Sequence, residues 1–328
     1  MMRAVVLREY GPPHVLVQQE IADPQPAPGQ LVVAVAAAGV NFVDTMLRSG
    51  RMAPLAGRQP PFVLGNEIGG TVTSVGPGVD PNLVGRQVLA SLGGAGGYAE
   101  QAAVDADAVI PVPDGLDIKQ AIALLAQGRT AVGLMREARV AAGERVLVEA
   151  AAGGVGSLLV QLARQAGAGT VVAAAHGQRK LELARRLGAD VTIDYQQPDW
   201  DAQVRHSVGS ADVDVVFDSV GGTIGGTAFD LLADGGGRFV VFGFSSGTPT
   251  EIAAAEVLRR GLTVIGFGGA RVLRRPGYHR ELATEALQKA AAGELTPVIG
   301  QTFPLHKAAD AHAAVETRAT VGKTLLIP

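Results

Sequence analysis

Cysteine is absent from the 328 residues, which excludes disulfides, thiolate nucleophiles and every zinc site built on sulfur. Aromatic residues make up only 4% and charged residues 18% of the chain. No basic block stands out and the net charge is −3, so no footprint for a phosphate backbone or an anionic membrane is present. Long apolar runs are also lacking. The longest, Leu31 to Val40, falls far short of the ~20 residues of a membrane helix. The start, Met1-Met2-Arg3-Ala4-Val5-Val6-Leu7, is broken by Arg8, Glu9 and Tyr10 and does not read as a targeting segment. A soluble, cytoplasmic protein is expected. The hydrophobic fraction of 47% provides ample core, and the length suggests two domains.

Glycine, at 44 residues, is abundant and sits at the ends of apolar runs, where turns form. Up to about residue 118 the chain reads as short strands (Ala4–Leu7, Leu31–Val35, Gly70–Val75, Gln87–Ala90) between Pro- and Gly-rich connectors, a small β-rich domain. A helix is expected over Ile118–Ala142. Apolar strands then alternate with helices: Arg145–Ala150, Thr170–Ala175, Asp190–Asp194, Val213–Asp218, Gly237–Phe244 and Leu262–Phe267. Six such strands predict a doubly wound parallel sheet. A helix over 278–292, another near 307–317 and a last strand Lys323–Ile327 are expected to rejoin the first domain.

The stretch Arg145 to Ser157 is a strand, a glycine turn and a helix start, the context of a dinucleotide fingerprint. Ala151 occupies its first glycine position. Gly153 lets the backbone approach a pyrophosphate, with Gly154 and Val155 in the same turn, and Gly156 lets helix and sheet pack closely. An ordinary tight turn gives the same pattern. The second strand ends Ala173-Ala174-Ala175-His176 without the carboxylate that holds a ribose 2′-hydroxyl. Arg179 and Lys180 follow where a 2′-phosphate lies, although such pairs are often just solvated. The missing acid favours NADPH over NADH, with Lys180 as the main phosphate partner.

Several segments together resemble the NADPH:quinone oxidoreductase (zeta-crystallin-like) branch of the zinc-free medium-chain dehydrogenase/reductase superfamily. They are Gly39-Val40-Asn41-Phe42-Val43-Asp44-Thr45, Gly96-Gly97-Tyr98-Ala99-Glu100, Ala150 to Gly156, Asp218-Ser219-Val220-Gly221-Gly222 and Gly322-Lys323-Thr324-Leu325-Leu326. The resemblance spans nearly the whole chain. It implies an α/β protein with a GroES-like catalytic domain (1–120 and 268–328), a Rossmann NADPH-binding domain with a six-stranded parallel sheet (121–267), and a cleft for the cofactor. It further implies Asn41 and Thr130 near the nicotinamide, Lys180 and Tyr195 at the adenosine phosphate, and Ser219, Gly243, Ser245 and Ser246 along the ribose and nicotinamide path. A homodimer or homotetramer is the common assembly in the family.

The Gly-His-Glu motif of zinc-dependent relatives reads Gly65-Asn66-Glu67 here, and the six histidines lack paired metal spacing. His312 reads as a surface or packing residue. Hydride transfer without a metal is expected, to acceptors already electron-poor, such as quinones or conjugated enones. Family tyrosines after Asn-x-x-Asp are replaced by Met46 and Met52, which either pad a substrate pocket or fill core gaps. Asp44 is the remaining ionisable group of this loop, a weak acid if buried or, the favoured reading, a helix cap. Two other readings stay open: an enone or enoyl reductase, and a protein that holds NADPH without turnover.

Overall fold

A computed structural model describes residues 1–52, 59–209, 212–268 and 275–328. The chain divides into two compact units, Met1–Ala126 with Ala286–Pro328, and Gln127–Glu285. The sequence reading draws these lines at 120 and 267.

In the first unit the strands are β1 (Met2–Leu7), β2 (Leu16–Ile21), β3 (Gln30–Val40), β4 (Phe62–Val63), β5 (Glu67–Val75), β6 (Gln87–Ser91), β7 (Gln101–Asp105) and β8 (Ile110–Pro111). Helices α1 (Phe42–Arg48) and α2 (Ile118–Leu125) belong here too. The apolar run at 31–40 is explained by the pairing of β3. One edge meets β5, and the other meets β7 along Gln30–Ala34 and the returning C-terminal strand along Ala38–Val40. A strand with neighbours on both edges needs no charged side chains to guard it. Leu31, Val33, Ile68, Val88, Tyr98 and Leu326 form its core. β2 and β7 were not recognised in the sequence, since Gln18-Gln19-Glu20 and Gln101 interrupt their apolar patterns.

The second unit carries α3 (Gln127–Ala138), β9 (Arg145–Glu149), α4 (Gly156–Gln165), β10 (Thr170–Ala175), α5 (Gln178–Arg186), β11 (Val191–Asp194), α6 (Trp200–Ser207), β12 (Val215–Asp218), α7 (Gly222–Asp230), β13 (Arg238–Val241), α8 (Ala254–Arg260) and β14 (Thr263–Gly266). Its sheet is parallel throughout, in the order β11-β10-β9-β12-β13-β14. Consecutive strands run outwards in both directions from β9, so the topological switch point lies between β9 and β12. Leu147, Val172, Val216 and Phe239 fill one core of the sheet.

The single helix expected over 118–142 is two helices parted at Ala126. The cause is packing. α2 lies against β3, β5 and β6 in the first unit, whereas α3 lies against α4 and β13 within the second. The closing elements are α9 (Tyr278–Ala291), β15 (Ile299–Pro304), α10 (Ala308–Glu316) and β16 (Lys323–Ile327).

Candidate functional site

Within the first unit, β5 and β16 flank the C-terminal end of β3, pairing Glu67 and Leu325 with Gly39 from opposite sides. That register brings Lys323 and Glu67 together although 256 residues separate them. Lys323 Nζ donates to Glu67 Oε2 at 2.6 Å and to Asn41 Oδ1 at 2.7 Å. Asn41 Nδ2 donates to the same Glu67 oxygen at 3.1 Å, closing a three-membered ring. The ion pair crosses over Gly39, where a Cβ would lie 2.7 Å from Glu67 Oε2 and 2.8 Å from Lys323 Nζ. Only glycine fits. Lys323 and Glu67 are fully buried, and Asn41 is 8% exposed. Removing one partner of such a pair leaves a naked buried charge, at a cost of about 3–5 kcal/mol. The ring fixes both ends of the Asn41 amide.

Asn41 also precedes α1 as its N-cap, and Asp44 is the third helical residue. Asp44 Oδ2 accepts from the Asn41 backbone N–H at 2.8 Å, the reciprocal half of a capping box. The same oxygen accepts a long hydrogen bond, 3.4 Å, from the Tyr98 hydroxyl, which lies 3.0 Å from His312 Nε2. Burial raises the Asp44 carboxyl to about 7, against the pull of the Asn41 N–H. Burial, with the Arg48 charge nearby, lowers His312 to about 3, so its imidazole is neutral. His312 is on α10 and wholly buried, with Nδ1 lacking a partner. At the far end of α1, buried Arg48 forms an ion pair with Glu316 of α10. Met46 and Met52 are half-buried and joined by a backbone hydrogen bond, Met52 N–H to the Met46 carbonyl.

In the second unit, the cofactor candidates fall at the carboxyl ends of successive strands. Gly153, Gly154, Val155 and Gly156 follow β9, Arg179 and Lys180 open the helix after β10, and Tyr195 follows β11. Ser219 follows β12, and Gly243, Ser245 and Ser246 follow β13. Strand order thus lines them up as Tyr195, Arg179–Lys180, the glycine turn, Ser219 and Gly243, across five strands. At ~4.8 Å per strand the row is about 19 Å long, the scale of an extended dinucleotide. The last two turns are tied together, with Ser245 N–H donating to the Ser219 carbonyl and Ser246 N–H to that of Val220, both at 2.9 Å. Gly156 has no room for a side chain, since a Cβ would stand 2.4 Å from the Ala150 carbonyl oxygen. Thr130 lies on α3, half-buried.

Four residues of the first unit were not singled out as site groups from sequence: Glu67, Lys323, Tyr98 and the buried role of His312. Their partners are distant in the chain, so spacing gives no signal. Asp194 was missed as well. It ends β11 and accepts from His176 Nδ1 at 3.1 Å and from the N–H groups of Gly177 and Gln196, at 3.2 and 3.0 Å. Its carboxylate therefore reaches the end of β10, where the local sequence has none.

Residues 27–114 match the family described as the alcohol dehydrogenase GroES-like domain, and 154–289 that described as zinc-binding dehydrogenase. A zinc site does not fit this chain. It has no cysteine, and among the described residues no three His, Asp or Glu side chains gather to hold a metal. The chain is 34% identical to 2-haloacrylate reductase of Burkholderia sp, covering 100% of this chain and 99% of that protein. It is 33% identical to quinone oxidoreductase of Pseudomonas aeruginosa over 100% of both. The structure of Escherichia coli quinone oxidoreductase complexed with NADPH aligns with a TM-score of 0.90 at 31% identity, covering 99% of this chain and 100% of that one. Architecture, glycine turn and full-length similarity agree: the chain is an oxidoreductase of the quinone oxidoreductase branch of the medium-chain dehydrogenase/reductase superfamily.

Proposed function

We propose that this enzyme transfers a hydride from NADPH to a quinone or another electron-poor conjugated acceptor. The observation that carries the reading is the row of candidate residues along the carboxyl edge of the parallel sheet, in the order a dinucleotide needs. Gly153 to Gly156 receive the pyrophosphate; Ser219, Gly243, Ser245 and Ser246 line the nicotinamide end, with Thr130 beside it. Arg179, Lys180 and Tyr195 take the adenosine end. Asp194 is already engaged by His176 and two backbone N–H groups, which leaves the cationic pair to meet a 2′-phosphate. When bound, NADPH supplies the hydride.

The acceptor side falls to the first unit. Asn41 presents an amide whose orientation Lys323 and Glu67 have settled beforehand, so none of the binding energy is spent in ordering it. Asp44 is a positioning residue, since its carboxylate is turned to the Asn41 N–H and Tyr98 rather than outward. Met46 and Met52 pad the acceptor site where a tyrosine acid is missing, and the proton that follows hydride comes from water. This suits quinones, whose oxygens protonate readily, and small activated alkenes such as the substrate named for the haloacrylate reductase relative. Copies of the chain associate through β14, the end strand of the sheet, where Val264 is exposed and Leu258 on α8 is 85% exposed.

The test is NADPH oxidation with an ortho-quinone, a para-quinone, 2-chloroacrylate and crotonyl-CoA in parallel. Turnover with the quinones or the haloacrylate and little with the thioester is the expected result. Turnover with the thioester alone refutes the acceptor assignment. NADPH binding without turnover on any acceptor leaves a holder of the cofactor.

A further inference from the structure

Glu149 ends β9 and Asp218 ends β12, neighbouring strands on either side of the switch point, and both side chains are wholly buried. Their carboxylates converge on one donor. The Val220 N–H lies 3.2 Å from Glu149 Oε2 and 3.0 Å from Asp218 Oδ1. Asp218 Oδ1 also accepts from Gly221 N–H at 2.8 Å, and its Oδ2 from the Thr250 hydroxyl at 2.5 Å. Glu149 takes the Ser219 N–H as well, and its Oε1 has no donor. The turn after β12 contributes backbone N–H groups and the segment before α8 contributes the Thr250 hydroxyl. The Asp218 charge acts on Glu149, and among the described residues no cation pairs with either acid.

Two buried carboxylates sharing one N–H without a cation cannot both be ionised. The pair therefore holds a proton. Asp218 has two donors of its own beside the shared N–H, and burial together with the Asp218 charge pushes Glu149 well above the usual carboxylate range. Protonated Glu149 then donates to Asp218. This bond joins two turns. Glu149 leads directly into Ala150, a non-glycine residue at φ 46°, and on to Gly153–Gly156, while Asp218 leads into Ser219 and the Gly221 turn.

We propose that Glu149 and Asp218 form a one-proton clamp that positions the glycine turn and the Ser219 turn for the dinucleotide, making NADPH affinity depend on a proton the cofactor does not touch. The proposal rests on the NADPH reading above. Loss of the proton sets two anions on one N–H, and relief requires the two turns to part. Neither acid is a catalytic residue. Both act through backbone.

The experiment is NADPH affinity by cofactor fluorescence from pH 6 to pH 10 for the parent, Glu149→Gln and Glu149→Ala. The glutamine amide donates to Asp218 as the acid does, without titrating. The parent should bind about tenfold more weakly at the alkaline end, the change that one pKa unit of coupling provides. Glu149→Gln should match the parent at pH 6 and lose the alkaline decline, whereas Glu149→Ala should be weaker throughout. An alkaline decline that persists unchanged in Glu149→Gln overturns the clamp, as does a parent whose affinity is flat across the range. No binding by the parent at pH 6 overturns the cofactor reading instead. Unfolding without nucleotide still reports the shared proton, because Glu149→Gln must then gain stability on the parent as pH rises.

Discussion

Asp44 and His312 touch the same Tyr98 hydroxyl, yet their linkage to folding has opposite sign. Asp44 goes from 3.8 to about 7 on folding, so between those values the native state keeps a proton that the unfolded chain has lost. Stability from this group is complete below pH 4 and falls as pH rises to 7. His312 goes from 6.5 to about 3, so the unfolded chain binds the extra proton, and stability rises as pH climbs from 3 to 6.5. Each slope is about 1.4 kcal/mol per pH unit, giving roughly 4 kcal/mol over the Asp44 window and about 5 over that of His312. Between pH 4 and 6.5 the two cancel in the parent. Single substitutions separate them. In Asp44→Asn the amide oxygen can still accept from Asn41 and Tyr98, so stability relative to the parent should climb with pH from 4 to 7. In His312→Gln, whose amide reaches the place of Nε2, stability relative to the parent should fall as pH rises from 4 to 6.5. The Arg48, Glu67 and Lys323 charges around the pair are common to all three proteins and drop out of the difference. Chemical unfolding followed by circular dichroism at half-unit pH steps is the assay. Two difference curves of the same sign, or two flat ones, would refute the reasoning.

Other expectations follow from single contacts. Lys323→Met should leave NADPH affinity near that of the parent while lowering kcat at least tenfold, with Lys323→Arg recovering part of it; equal loss of both would place Lys323 outside the acceptor side. Gly39→Ala drives a methyl into the Glu67–Lys323 pair and should lower stability by about 1–3 kcal/mol, read from the unfolding midpoint. Lys180→Ala should raise KM for NADPH about tenfold, the worth of one charge-assisted phosphate contact, and leave KM for NADH unchanged. Sedimentation of the parent should give a dimer or tetramer, and Val264→Glu with Leu258→Glu should shift it towards monomer.

What the sequence made legible was local. A strand, glycine turn and helix start lie within Arg145–Ser157, and the structure forms β9 and α4 there because Gly156 alone fits beneath the Ala150 carbonyl. The returning strand Lys323–Ile327 was readable for the same reason, as an apolar run after a glycine. What stayed hidden was made by pairing. Nothing near Lys323 in the chain says that its charge will be buried, and nothing near Glu67 says which cation will meet it; β3 decides both by accepting β5 on one edge and β16 on the other. Asp194 illustrates the same limit at the cofactor edge. The absence of an acid at the end of β10 was correct along the chain and incomplete across the sheet, since β11 delivers a carboxylate to His176.

That carboxylate sharpens the choice between the two nicotinamide cofactors. An acid free to turn towards a ribose would favour the 2′-hydroxyl and repel a 2′-phosphate. Asp194 is held below the usual carboxylate range: burial alone would raise it, but the N–H groups of Gln196 and Gly177 and the His176 ring outweigh burial. Its hydrogen-bonding capacity goes into shaping the turn after β10. His176→Ala removes the side-chain partner and keeps the two backbone ones, releasing part of that capacity at the turn that leads into α5. The preference for NADPH over NADH, measured as the ratio of kcat/KM, should then fall several-fold, mainly through KM for NADPH. A ratio that stays constant would mean that Asp194 does not bear on the 2′ position, and that Arg179 and Lys180 alone set the preference.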